Sequence, residues 1–152
     1  MINKMEKTFI RVRSVKDITL SISLILIGSI LVALPTGAAV NITGFFLIFA
    51  GLILALVLKS GYMDEETGEK YSKKEHYFQQ AMHASLLSAI ESDPKSVDLA
   101  EEDKGNAVKL DVYFNKSANK AYVQLFEYIP YKYEPCSKMY EYGIAEVSEL
   151  IK

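Results

Sequence analysis

Residues 18–58 read ITLSISLILIGSILVALPTGAAVNITGFFLIFAGLILALVL: two uncharged apolar runs, 18–34 and 38–58, parted only by Pro35-Thr36-Gly37. Each is about as long as the ~17–25 residues an α-helix needs to cross a bilayer. The first holds eleven Ile, Leu or Val residues and the second thirteen Ile, Leu, Val or Phe. At roughly −0.3 to −0.6 kcal/mol for each such residue near the helix centre, both runs favour insertion by several kcal/mol before Ser, Thr, Gly and Asn are set against them. The pattern predicts a membrane α-helical hairpin, and the rest of the chain is read outward from it.

Before the first run stand Lys4, Lys7, Arg11, Arg13 and Lys16 against Glu6 and Asp17; after the second come Lys59, Lys70, Lys73 and Lys74. The connection between the runs is uncharged. Basic flanks stay on the cytoplasmic side, so the expectation is a multi-pass protein of the cell (inner) membrane with both termini cytoplasmic. The rival reading takes the start as a secretory signal, with small residues at Gly37-Ala38-Ala39 as a cleavage site. Its apolar centre exceeds the usual ~7–15 residues, and the lone Cys136 is unlike the paired cysteines of small secreted domains. Asn41-Ile42-Thr43 matches a glycosylation sequon, which at a membrane boundary carries little weight.

The chain then divides into a basic N-terminus (1–17), the hairpin (18–58), a polar linker (59–71) and a small cytoplasmic α+β domain (72–152). From residue 59 onward there are twelve lysines, no arginine and seventeen carboxylates, a local charge of −5. That balance argues against duplex nucleic acid, whose binding rests on many cationic phosphate contacts. In the α+β domain the expected order is helix, β-hairpin, extended segment, helix. The first helix is expected over 72–91, with Phe78, Met82, Leu86 and Ala89 on one face and His76, Gln80 and His83 on the other. Asp93-Pro94 ends it, and 92–106 reads as an acidic loop. Alternation of Val108, Leu110, Val112 and Phe114 with polar residues predicts a strand, and 121–129 predicts its partner, with apolar bulk on both faces. Residues 131–134, between Pro130 and Pro135, predict an edge piece. Ser137 is placed to cap a last helix carrying Tyr140, Ile144, Val147 and Ile151.

The inventory for catalysis is thin. His76 and His83 would lie two helical turns apart, too far to share a metal, and as solvated polar-face residues they and Gln80 need no special role. Cys136 has no basic partner nearby in sequence. No phosphate loop or nucleophile motif occurs, so neither enzyme activity, cofactor nor metal is expected. The tyrosines offer more: seven of the ten fall within 113–142. Tyr113, Tyr122, Tyr131 and Tyr133, interleaved with Lys116, Lys120 and Lys132, form a candidate surface for stacking rings and meeting phosphate. Half-buried sheet positions and subunit contacts are the more ordinary account of such tyrosines, since the lysines are few and acidic residues surround them. In the membrane runs Gly28, Ser29, Ala33, Gly44, Gly51 and Ala55 are small residues suited to close helix packing within or between copies. The runs hold no ionisable group, which argues against a transporter or ion pathway.

Three functions fit these features: a regulated membrane effector, a tether that recruits a cytoplasmic protein, and a holin-like pore former. The last needs little beyond its second span, whereas much of this chain follows it. In layout the chain resembles the small CRISPR-associated membrane effectors switched by cyclic oligoadenylate, through the apolar runs 18–34 and 38–58 and the Lys- and Tyr-rich segment 109–133. The resemblance implies a homo-oligomer arranged around one anionic ring, in antiviral defence. Adenines would stack on the tyrosines, a lysine would meet phosphate, and the hairpins would shift from a closed to a membrane-perturbing packing.

Overall fold

The computed structural model describes residues 6–152; Lys4, counted above in the basic flank, lies outside them. The chain forms two compact units. One is Ile10–Met63, and the other joins residues 6–9 with Asp64–Lys152.

The first unit is the helical hairpin. After a short strand, β1 (Phe9–Val12), helix α1 covers Val15–Ala33 and α2 covers Ala38–Val57, followed by strand β2 (Gly61–Asp64). Helix α1 starts ahead of the apolar run because Ser14 and Asp17 form a reciprocal cap. The Asp17 amide donates to Ser14 Oγ at 3.2 Å, and the Ser14 amide donates to Asp17 Oδ2 at 2.9 Å. Pro35 stops it, and Gly37, at φ 121°, turns the chain into α2. The Asn41 side-chain amide lies against the Leu31 and Leu34 carbonyls, and the orientation that satisfies them puts its nitrogen 3.1 and 3.2 Å away as donor to the open end of α1.

The helices meet on a seam of small residues. Ser21 and Gly28 on α1, and Gly44 and Gly51 on α2, are buried. A Cβ built on Gly28 would stand 2.5 Å from the Gly44 carbonyl oxygen, and one on Gly51 would stand 2.9 Å from that of Ser21. Seven-residue spacing on both helices keeps the seam in register as an antiparallel pair. Ser29 and Ala33, expected as a pairing couple, are exposed and take no part in it. At the charged end Asp17 fastens the hairpin, accepting from the Ser60 amide at 2.8 Å and from Ser60 Oγ at 2.6 Å.

The outer faces carry no charge from 18 to 58, and only a few hydroxyls such as Thr19, Ser23, Ser29 and Thr43 interrupt their hydrocarbon. Ile22, Leu26, Ile30, Phe45, Phe46, Phe49, Leu56 and Val57 are all at least half exposed. Both helices are long and apolar enough to cross a membrane, and less than a fifth of either apolar window is buried.

The second unit is an antiparallel sheet with one helix. Strand β3 (Lys70–Phe78) pairs with β4 (Val108–Asn115), which pairs with β5 (Lys120–Ile129). The far edge of β5 is shared between β6 (Lys132–Pro135) and β7 (Tyr140–Tyr142). Helix α3 (His83–Ser92) and the final turns close over one face. There Phe78, Leu86, Ile90, Val108, Leu110, Val112, Val123, Leu125, Val147 and Leu150 form the core.

The strands expected over 108–114 and 121–129 and the edge piece at 131–134 are found. Three other expectations are corrected. Residues 70–78 are a strand, and the helix begins only at His83. Lysines on both strand faces hide the two-residue period, and a backbone partner in β4 for each of residues 72–78 overrides local preference. The segment 137–151 holds β7 and a 3₁₀ turn at Ile144–Val147 in place of a helix. Ser137 accepts from the Leu125 amide at 2.9 Å, filling the gap between β6 and β7 on β5. The linker 59–71 contains β2 and the start of β3, and the acidic loop 92–106 contains two 3₁₀ turns.

Candidate functional site

Alternation puts the chemistry of the sheet on the face opposite the core. Tyr71, Lys73, Glu75 and Tyr77 come from β3, Lys109, Asp111 and Tyr113 from β4, and Tyr122, Gln124, Phe126 and Tyr128 from β5. Tyr133 joins them from β6.

At one end the rings pack on one another. Phe9 lies flat on Tyr113, centroids 4.1 Å apart and planes 8° apart, and meets Tyr71 edge-on at 5.1 Å. Tyr122 is buried beneath, 5.8 Å from both Phe9 and Tyr71. Burial raises the Tyr71 and Tyr122 hydroxyls above the ordinary phenol range. The stacking faces that the sequence offered at Tyr113 and Tyr122 are therefore engaged by the protein's own side chains.

In the middle stands an ionic group. Asp111 is only 2% exposed, and its Oδ2 lies 3.3 Å from Lys73 Nζ and 3.4 Å from Lys109 Nζ. Its Oδ1 has no hydrogen-bond partner among the described residues. Glu75 pairs with Lys73 at 2.7 Å and accepts from the Tyr77 hydroxyl at 2.7 Å. Lys109 Nζ sits over the rings of Phe126 and Tyr133, at 4.8 and 5.0 Å. Burial raises Asp111 above the usual carboxylate range despite both lysines. Burial also works against Glu75, yet its bonds from Lys73 and Tyr77 hold it below that range. Sequence reading passed over this group because residues 72–78 read as helix, which separates Lys73 and Glu75 from Lys109 and Asp111.

The three lysines singled out from the sequence do not converge. Lys116 leans over Phe114 at the β4–β5 turn, and Lys120 lies 3.7 Å from Glu69. Lys132 pairs with Glu134 at 2.5 Å at the other end of β5, about 30 Å away along the strand. Tyr133 donates to the Asn106 carbonyl and packs on Tyr128. Tyr131 is 97% exposed.

His76, Gln80 and His83 do not share a helical face. His76 is buried in β3, Nε2 donating to the Leu150 carbonyl at 2.6 Å and Nδ1 meeting Glu102 at 2.5 Å. It ties the acidic loop and the C-terminal turn to the sheet. Gln80 is exposed, and His83 opens α3. Cys136 is half-buried, and burial raises its thiol. No group of three or more His, Cys, Asp or Glu among the described residues is placed to hold a metal ion.

Near the N-terminus Asp64, 1% exposed, accepts from Lys7 Nζ at 2.9 Å, the Glu66 amide at 3.0 Å and Thr67 Oγ1 at 3.0 Å. Burial opposes ionisation there, but these bonds carry its pKa below the ordinary value. A lowered carboxylate contributes stability that is present above its unfolded pKa of about 3.9 and lost as pH falls through the folded value. Asp64→Asn should therefore show a smaller loss of thermal stability than wild type between about pH 5 and about pH 2, read by circular dichroism.

No family model matches the chain, and neither a curated protein nor a solved structure matches it.

Proposed function

We propose that this chain is a two-span membrane protein that holds its sheet domain at the cytoplasmic surface as a binding module. The membrane part of the reading rests on the outer faces of α1 and α2, whose contiguous apolar area far exceeds what soluble monomers leave in water. Arg11, Arg13, Lys16 and Lys59 are exposed on the segments flanking the helices, whereas the connection at Pro35-Thr36-Gly37 is uncharged. That asymmetry supports cytoplasmic termini.

The binding part rests on Tyr131. It is the second central residue of the two-residue turn between β5 and β6, after Pro130, with φ 77°. A positive φ at this place normally calls for glycine or asparagine, and a bulky residue there is strained. Strain kept in order to present a fully exposed ring is the pattern of a contact residue, and tyrosine is favoured at interface hot spots.

Tyr131→Gly should raise the stability of the domain by about 1 kcal/mol and abolish binding. A photoreactive phenylalanine at position 131 should give one dominant crosslinked adduct in cells, and one at exposed Lys95 should give none. No adduct from position 131 would end this reading.

A sharper second reading is the regulated effector. Tyr131 and Lys132 stand side by side and exposed, offering a ring to a base and an ammonium to a phosphate. Calorimetry of the full chain with cyclic tetra- and hexa-adenylate tests it. Heat at less than one ligand per chain, lost in Tyr131→Gly, supports it; silence leaves a protein partner.

A further inference from the structure

At the charged end of the hairpin a groove of about 120 Å³ opens between α1 and α2. Arg13 and Asp17 flank it, and its walls are hydrocarbon, chiefly Ile22, Ile25, Leu54 and Leu58. Most polar atoms here are already matched. Asp17 accepts from the Ser14 and Ser60 amides and from Ser60 Oγ, and Ser21 Oγ donates to the Asp17 carbonyl. Arg13 is the exception, with no hydrogen bond or ion pair among the described residues.

The geometry points to a binding site for one anionic glycerophospholipid, its phosphate on Arg13 and the upper part of one acyl chain in the groove. The guanidinium fork matches phosphate oxygens, and Lys16 and Lys59, also exposed, favour an anionic headgroup. The groove has room for about four water-sized groups. Water held between isoleucines and leucines would find too few polar partners, whereas methylenes lose nothing there. Asp17 does not repel the phosphate strongly, because its oxygens are turned to donors of its own chain. The site rests on the reading that the hairpin lies in a bilayer, and it adds a selectivity for headgroup which that reading alone does not contain.

The test uses the full-length protein in mild detergent, given equal amounts of dioleoylphosphatidylglycerol and dioleoylphosphatidylcholine and examined by native mass spectrometry. One phosphatidylglycerol per chain should be retained in preference to phosphatidylcholine. Arg13→Gln should reduce that retention about fivefold, the effect of one juxtamembrane cation, and Arg13→Lys should preserve most of it. Equal retention of the two lipids, or an Arg13→Gln protein indistinguishable from wild type, overturns the site. Glycerophosphoglycerol, the headgroup without chains, should not be retained; binding as tight as the lipid's would mean an anion site and overturn the lipid assignment. Carbonate extraction of membranes reads the bilayer hypothesis separately. The chain should stay in the pellet with or without Arg13, and its release would sink that hypothesis whatever the lipid data say.

Discussion

Replacing Gly44 by valine should drive α1 and α2 apart. Even the first added carbon would stand 2.7 Å from the Gly28 carbonyl oxygen and 2.9 Å from the Val32 amide nitrogen. Both are backbone atoms of a helix and have no rotamer to escape into. Overpacking a tight site typically costs 1–3 kcal/mol and occasionally more, and a clash with rigid backbone belongs at the top, about 3 kcal/mol. In a bilayer, close packing is most of what holds two helices together, because lipid is as apolar as the partner helix. Spin labels at exposed Ser23 and Leu52, in a chain whose Cys136 is serine, should report one narrow distance in wild type and a broad distribution in Gly44→Val. Ala33→Val, on the exposed side of α1, should leave the narrow distance unchanged. If it is Ala33→Val that broadens the distribution, the seam has been assigned to the wrong face.

The hairpin was legible because its signal is long and one-dimensional. Two uncharged runs, a Pro-Thr-Gly break and basic flanks fix α1 and α2 to within a few residues. The seam was half legible. Gly44 and Gly51 stand seven apart, but choosing Gly28 over Ser29 as their partner depends on rotation about the α1 axis, which composition does not encode. Strands β4 and β5 were legible from clean alternation on the core face. Strand β3 was not. Its core face reads Ser72, Lys74, His76 and Phe78, and only the pairing to β4 explains why such residues lie in a strand. The buried state of His76 comes from two distant acceptors, the Glu102 carboxylate and the Leu150 carbonyl, neither of which has a local signature.

The tyrosines read together from the sequence part company in the structure. Tyr113 and Tyr122 were read as free stacking faces, and Phe9, more than a hundred residues earlier, covers them. Tyr131 was named for its composition alone. What distinguishes it, a positive φ on a bulky residue between Pro130 and Lys132, is visible only in the backbone. The tyrosine ladder therefore divides into a structural part, closed by the N-terminal segment, and one exposed ring at the tip of a turn.

Removing the carboxylate beneath this face should have an effect as large as opening the seam between α1 and α2. In Asp111→Ala, Lys73 and Lys109, only 12% and 13% exposed at their side chains, lose the anion that lies between them. Taking one partner from a buried ionic group typically costs 3–5 kcal/mol, because the remaining charge is left uncompensated. Glu75 still lies 2.7 Å from Lys73 and 3.9 Å from Lys109, so the lower end, about 3 kcal/mol, is expected. For a domain of this size that lowers the melting temperature by more than about 10 °C, read from near-ultraviolet tyrosine dichroism of the full chain in detergent. Asp111→Asn should cost less, for a reason the pKa direction supplies. Burial raises Asp111, so its protonated form is the better fitted to the fold, and its contribution is fully present below the unfolded value of about 3.9 and lost as pH rises through the folded one. An uncharged amide of the same shape carries no such loss on going to neutral pH. Asn should therefore be more stable than Ala, and the stability of Asp111→Asn relative to wild type should rise with pH. An alanine variant that melts with the wild type would mean that the two lysines are satisfied without Asp111, and that this face is held by its rings alone.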